Sequence, residues 1–258
     1  MKKGILFLLC FLPLLFGQNA GAVDNSKNFE LVRQIEYGNY AIVVGVSDYL
    51  HNEIEDLHYC EKDATDFYNV LVTDCGYKKE HVIKLIGKDA TREKIINMLT
   101  GLANQKLYPH AETIIFYFSG HGMASNNENF ILPFDGSVKE SKMQESNIAI
   151  DSVKNLLENS TFTKRLIFID ACRYNPEGKA YLGSAKGFID VSTAYAHAKG
   201  TKILLGCEFG KLSYENDQAQ NGLFTSYLLD GLRGSAASSD NRITIGLLEE
   251  YVFDKMAS

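Results

Sequence analysis

Two residues in this chain could carry covalent chemistry and stand where a fold would bring them together, His121 and Cys172. Each follows a run rich in apolar and β-branched residues. Thr113–Ser119 (TIIFYFS) leads into Gly120-His121-Gly122, and Lys164–Asp170 (KRLIFID) leads into Ala171-Cys172-Arg173. Both runs read as buried strands, ending at Ser119 and at Asp170, so each reactive residue is expected two positions past a strand end. In an open parallel sheet, reactive groups gather in the crevice outside the carboxyl ends of the strands. Neighbouring strands would therefore present both side chains at one edge. The glycines flanking His121 allow a sharp turn and a close backbone approach to a substrate. A thiol beside an imidazole forms thiolate near neutral pH, whereas an isolated Cys titrates at about 8.5. The imidazolium can then protonate a leaving amine. Singly, a His after a strand is most often a loop residue, and a Cys is most often a small buried apolar one. The pair, each at a strand end, points to nucleophilic catalysis.

The elements that must position this pair alternate between strand and helix. Residues 40–46 (YAIVVGV) form a short buried strand followed by a loop at Ser47-Asp48-Tyr49. Over 60–73, Ala64, Phe67, Val70 and Leu71 share one helical face, and Gly76 stops that helix. His81 to Ile86 reads as a second strand. Thr91 is the expected N-cap of a helix with Ile95, Ile96, Leu99 and Leu102 as its apolar stripe. A helix over 150–157, a strand over 201–206 and helices over about 222–233 and 244–256 complete the pattern. It predicts an α/β protein with a mostly parallel central sheet and helices on both faces. No strand is expected after the last helix, so either the sheet is small or the sequence stops short.

The 258 residues are 45% hydrophobic and 22% charged, sufficient for one large α/β domain with its own core. A net charge of -6 argues against a nucleic-acid partner. The first 22 residues stand apart. Lys2-Lys3 precede a 12-residue apolar run, Ile5 to Phe16, and the segment closes on Ala20-Gly21-Ala22. That run is shorter than the roughly 18 to 20 residues needed to span a bilayer, so it reads as a signal peptide cut after Ala22. The mature protein is then secreted or periplasmic, without a stable membrane span; an uncleaved anchor is the alternative. Export leaves Cys60, Cys75, Cys172 and Cys207, too few for a disulfide framework in a domain of this size. A bond between Cys60 and Cys75, which flank one helix, stays open, with buried thiols as the other reading. There is no Cys-x-x-Cys to support redox chemistry. His51 and His58 lack companion ligands, so no metal site is expected.

The motifs also resemble a known family. FYFSGHG (116–122) and IDACR (169–173) are similar to the histidine and cysteine motifs of caspase-like peptidases, closer to metacaspases and bacterial relatives than to animal caspases. The 51 residues between His121 and Cys172 are near the spacing of about 50 in caspases. YAIVVGVSDY (40–49) resembles the family's opening strand, and Leu57 with Cys60-Glu-Lys-Asp63-Ala64 its Cys-x-x-Asp segment. Phe130 to Asp135 resembles the strand after the histidine loop, and Asn221-Gly222-Leu-Phe224-Thr225 the Gly-x-Phe-Thr of the small-subunit region. The likeness runs from about 40 to 250. It implies a three-layer caspase-like fold over 40–258. Within this lie a large-subunit-like part (40–172), a connection (173–200) and a small-subunit-like part (201–258), preceded by an N-terminal segment (23–39).

By this resemblance Cys172 is the nucleophile, His121 the general acid/base, and the N–H groups of Gly122 and Cys172 the oxyanion hole. It also implies an S1 pocket shaped by Asp63, Ser119 and Asp170. Between Gly45 and Asp63 there is no arginine to receive an acidic side chain. Asp48, Glu53, Glu55, Asp56, Glu61 and Asp63 are opposed only by Lys62. A buried acidic pair favours Arg or Lys at P1 of a protein or peptide substrate. No cofactor is expected. The loop Ser125–Asn129 is poor in carboxylates even with Asp135 nearby, which argues against the calcium dependence found in some metacaspases. The connection 173–200 carries Lys179, Lys186 and Lys199, where such an enzyme could cut itself. The alternative function is a non-catalytic binding module of the same fold, against which retention of both His and Cys speaks. The sequence leaves the oligomeric state and the natural substrate open.

Overall fold

A computed structural model describes residues 38–104, 111–125, 128–173, 200–206, 215–216 and 220–257. The expected leader 1–22, most of segment 23–39, nearly all of the connection 173–200 with its three lysines, and Cys207 lie outside them. Strand β1 (Gly38–Gly45) is followed by helix α1 (Cys60–Thr73), β2 (Val82–Ile86) and α2 (Arg92–Leu102). Then come β3 (Ala111–Ser125), β4 (Glu128–Ile131), β5 (Ile148–Ala149), α3 (Ile150–Glu158) and β6 (Lys164–Arg173). The chain closes with β7 (Thr201–Leu205), the small pair β8 (Glu215–Asn216) and β9 (Asn221–Gly222), α4 (Leu223–Asp230) and α5 (Ile245–Ala257).

Strands β2, β1, β3, β6 and β7 lie side by side, all parallel, and β4 and β5 add antiparallel pairs. Side chains alternate across a strand, so β3 serves two cores. Ile114, Phe116 and Phe118 join β1's Ile42 and Val44 against Ile95 and Leu99 of α2 and Val153 and Leu157 of α3. On the other face Ile115 and Tyr117 join Ala41, Val43 and Phe168 against α1, α4 and α5. Phe67 of α1 stacks on Tyr117 with ring centroids 4.3 Å apart. Burying such a ring stabilises the fold by about 1.5–3 kcal/mol. The three-layer α/β architecture read from the sequence is the one observed.

The apolar stripe of α1 is the expected one, with Ala64, Phe67, Val70 and Leu71 all buried. The chain leaves this helix through Gly76 at φ +74°, a conformation that suits glycine. Gly45 lets α1 come close: a Cβ there would lie 2.4 Å from the Cys60 carbonyl oxygen and 2.7 Å from the Ala64 Cβ. Thr91 caps α2, its hydroxyl accepting from the Lys94 N–H. Asp135 also serves that helix end, accepting from the Arg92 N–H at 2.7 Å. Cys60 and Cys75 are buried thiols with no disulfide between them.

Two expectations need correction. The apolar runs end at Ser119 and Asp170, but the strands do not. β3 continues to Ser125 and β6 to Arg173, because pairing persists beyond the hydrophobic stretch. Past Ser119, β3 keeps β6 on one side through Gly122↔Arg173 and gains β4 on the other from Gly122↔Ile131. The second concerns the helix expected over 222–233. Its regular turns end at Asp230, and a wider turn at Gly231–Ser235 follows, with Gly234 at φ 128°. Among the described residues no helix is long and apolar enough to cross a membrane.

Candidate active site

Register does for the reactive pair what strand ends were expected to do. His121 of β3 and Cys172 of β6 are direct partners in the parallel ladder. Adjacent strands lie about 4.8 Å apart, so the two backbone positions stand side by side at the carboxyl edge of the sheet. The imidazole is buried, with only 5% of the residue exposed. Its Nε2 lies 2.7 Å from the carbonyl oxygen of Glu55, in the loop between β1 and α1. A carbonyl oxygen can only accept, so Nε2 carries a hydrogen, and in the neutral ring Nδ1 is the basic nitrogen. Burial holds the imidazole pKa below the usual value, opposed in part by the Glu55 carbonyl. Gly122 is laddered on both sides, to Ile131 and to Arg173.

Two residues before the pair, on each strand, stand Ser119 and Asp170, also ladder partners. Asp63 reaches them from the first turn of α1. All three are buried, with 1%, 4% and 1% exposure for Ser119, Asp170 and Asp63. The Ser119 hydroxyl donates to Asp63 Oδ2 at 3.0 Å. Asn221 Nδ2 and the Gly222 N–H donate to Asp63 Oδ1 at 2.8 and 3.0 Å. The Thr225 N–H and hydroxyl donate to Asp170 Oδ2 at 3.1 and 2.6 Å. With its proton spent there, Thr225 Oγ1 accepts from the Tyr117 hydroxyl at 2.6 Å. The amino end of α4 thus supplies donors to both carboxylates, where main-chain N–H groups and the helix dipole favour negative charge.

The acids converge on Gly222. A Cβ there would lie 2.5 Å from Asp170 Oδ2 and 3.2 Å from Asp63 Oδ2, so only glycine fits between them. Two carboxyl groups so close, both buried, do not both ionise easily. Burial first, and then the Asp170 charge, raise the Asp63 pKa well above the carboxylate range. The arrangement can bind one cationic side chain, which would relieve both the burial and the repulsion.

The structure thus brings the expected residues to one edge: Ser119 bonded to Asp63 and laddered with Asp170, both acids beside Gly222, and His121 and Cys172 adjacent in the ladder. Sequence reasoning did not single out Tyr49, whose hydroxyl accepts from the His121 N–H at 2.7 Å, nor the Glu55 carbonyl. It noted Asn221 and Thr225 only as parts of a motif. Their signal was present, since Asn-Gly-x-x-Thr opens a helix after a strand, but their partners are more than 50 residues away.

The fold and this edge define the class, an α/β protein whose buried polar groups gather at the carboxyl end of a parallel sheet. A solved structure of a Geobacter sulfurreducens protein shares the fold at a TM-score of 0.52 and 21% identity, covering 75% of this chain and 81% of that one. The model of the peptidase C14 family, the caspase domain, matches residues 39–249, and the chain belongs to that family. It is similar to a paracaspase of Dictyostelium discoideum, 22% identical over 199 residues, which are 77% of this chain and 45% of that protein. It is also similar to a protein of a Desulfuromonadales bacterium named "Probable protease", 29% identical over 159 residues, 57% of this chain and 18% of that one. The chain thus spans less than half the length of either relative.

Proposed function

We propose that this chain is a cysteine endopeptidase that cuts after Arg or Lys, with Cys172 and His121 as its catalytic dyad. The observation that carries the reading is the ladder pairing of His121 with Cys172 at the carboxyl edge. Nδ1 of His121 takes the thiol proton, and the thiolate attacks the scissile carbonyl carbon. The N–H groups of Gly122 and Cys172 hold the oxyanion. As the tetrahedral intermediate collapses, the C–N bond breaks and the imidazolium protonates the departing amine. Water, deprotonated by the same imidazole, then hydrolyses the thioester. This chemistry draws on no resident cofactor. The choice of a basic P1 residue is supported by two buried carboxyl groups, Asp170, two residues before Cys172 on β6, and Asp63, which reaches the same edge from α1. The leader-like first 22 residues support export to a secreted or periplasmic location.

A fluorogenic panel with Arg, Lys, Asp and Asn at P1 tests both parts, run on wild type, Cys172→Ala and His121→Ala. Cleavage after Arg or Lys in wild type and its loss in both variants is the expected result. Full activity in Cys172→Ala would sink the dyad, and faster cleavage after Asp than after Arg would refute the acidic pocket.

A further inference from the structure

On the side of β3 facing β1, the ladder has a gap. The last pair with β1 is Gly45↔Ser119 and the first with β4 is Gly122↔Ile131, so Gly120 and His121 fall between them. The main chain of His121 is nonetheless held there. Its carbonyl accepts from the Leu132 N–H at 2.9 Å, and its N–H donates to the Tyr49 hydroxyl oxygen at 2.7 Å. A side-chain hydroxyl thus stands where a strand carbonyl would be, which matters because a buried main-chain N–H needs an acceptor. Tyr49 is itself buried, at 7% exposure, and its ring centroid lies 5.2 Å from that of His121.

The same loop holds the other end of the residue. Six residues past Tyr49, the Glu55 carbonyl receives Nε2 of the ring. The loop is anchored on both flanks: the Leu50 N–H donates to the Phe134 carbonyl, and the Leu57 N–H to the Ser47 carbonyl, each at 2.9 Å. The loop therefore grips His121 twice, at its main chain through Tyr49 and at its ring through Glu55. Two fixed points set the direction of Nδ1, whereas one would leave a hinge.

We infer that Tyr49 is a positioning residue for the general acid/base, its hydroxyl closing the gap in the ladder and its ring bracing the imidazole. The inference rests on the dyad reading for its kinetic consequence. A tyrosine contributes here through geometry, without touching substrate, so its loss acts on kcat and leaves KM, set by the acid pair, in place. Loosening the imidazole also admits water and relieves the burial that depresses its pKa.

Tyr49→Phe keeps the ring and removes the acceptor. In the full-length protein it is expected to lower kcat for an Arg substrate about tenfold or more with KM within about twofold. The ¹³Cε1 titration of His121, assigned with His121→Gln, should move up toward the ordinary imidazole midpoint. A folded Tyr49→Phe with wild-type kcat and titration would overturn the inference. So would a lowered Tm with both readouts unchanged, which is what packing alone would produce. If Tyr49→Phe does not fold, 3,5-difluorotyrosine at position 49 keeps the shape and weakens the acceptor. A partial loss of kcat in the same direction then supports the inference, and no change overturns it. Should Cys172→Ala stay active, the dyad reading fails, while the NMR titration still reports whether Tyr49 holds His121.

Discussion

Replacing Asp63 by Asn separates the cost of the buried acid pair from its shape. In the folded protein burial and the neighbouring Asp170 push the Asp63 pKa from 3.8 to about 7. The folded state therefore keeps a proton that the unfolded chain gives up between about pH 4 and pH 7. A raised pKa makes a contribution to stability that is fully present below about pH 4 and lost as pH rises through about 7. A rise of this size is worth a few kcal/mol, taking 1.36 kcal/mol per pH unit. Asn is neutral at every pH and nearly the same shape as a protonated Asp. It keeps an oxygen for the Asn221 and Gly222 donors, and the Ser119 hydroxyl can turn to accept from its amide. At about pH 4 and below wild type and Asp63→Asn should be of similar stability, and by pH 5, where the unfolded carboxyl is already ionised, the variant should lead by about 1–2 kcal/mol. By pH 8 the variant should be the more stable, by about 2–4 kcal/mol. Urea unfolding at pH 4, 5, 6, 7 and 8, with slopes compared to confirm the same transition, reads this directly. The same variant should cleave after Arg or Lys roughly tenfold less well or worse, having lost one carboxylate for the substrate cation. A wild-type-to-variant difference in stability that stays flat across pH 5–8 would refute the reasoning, whatever the activity.

Thr225→Val conserves volume but removes the donor to Asp170 and the acceptor for Tyr117, so it should lower stability by about 2–4 kcal/mol in urea unfolding. A double-mutant cycle with Asp170→Asn should show coupling above about 0.5 kcal/mol; strict additivity would count against the Tyr117–Thr225–Asp170 chain. Gly222→Ala pushes a methyl between the two carboxylates, and cleavage after Arg should fall at least about tenfold, mainly through KM. A soluble, folded Gly222→Ala with wild-type KM would show that the acids do not meet the substrate there.

Local pattern carried much of this protein. The stripe Ala64, Phe67, Val70 and Leu71 set α1 and its buried face, because a helix writes its burial at a period near 3.6. Alternating strands and helices implied the parallel sheet, and the order of Asp63, His121 and Cys172 implied the site through a family likeness. The strand ends at Ser119 and Asp170 were misjudged for a physical reason. The hydrophobic run records what packs against the side chains, whereas a strand ends where its main chain loses a partner. For residues 120–125 those partners are β6 and β4, and no local signal names them. The same holds for the polar network. Thr225 and Asp170 are 55 residues apart, and Asn221 and Asp63 are 158 apart. Tyr49 reads as a loop aromatic until the gap between β1 and β4 gives its hydroxyl an N–H to accept. Residue types and spacing determined which groups could react. Tertiary pairing alone decided which nitrogen of His121 is basic and why the Asp63 carboxyl resists ionising, since both depend on neighbours brought together by the sheet.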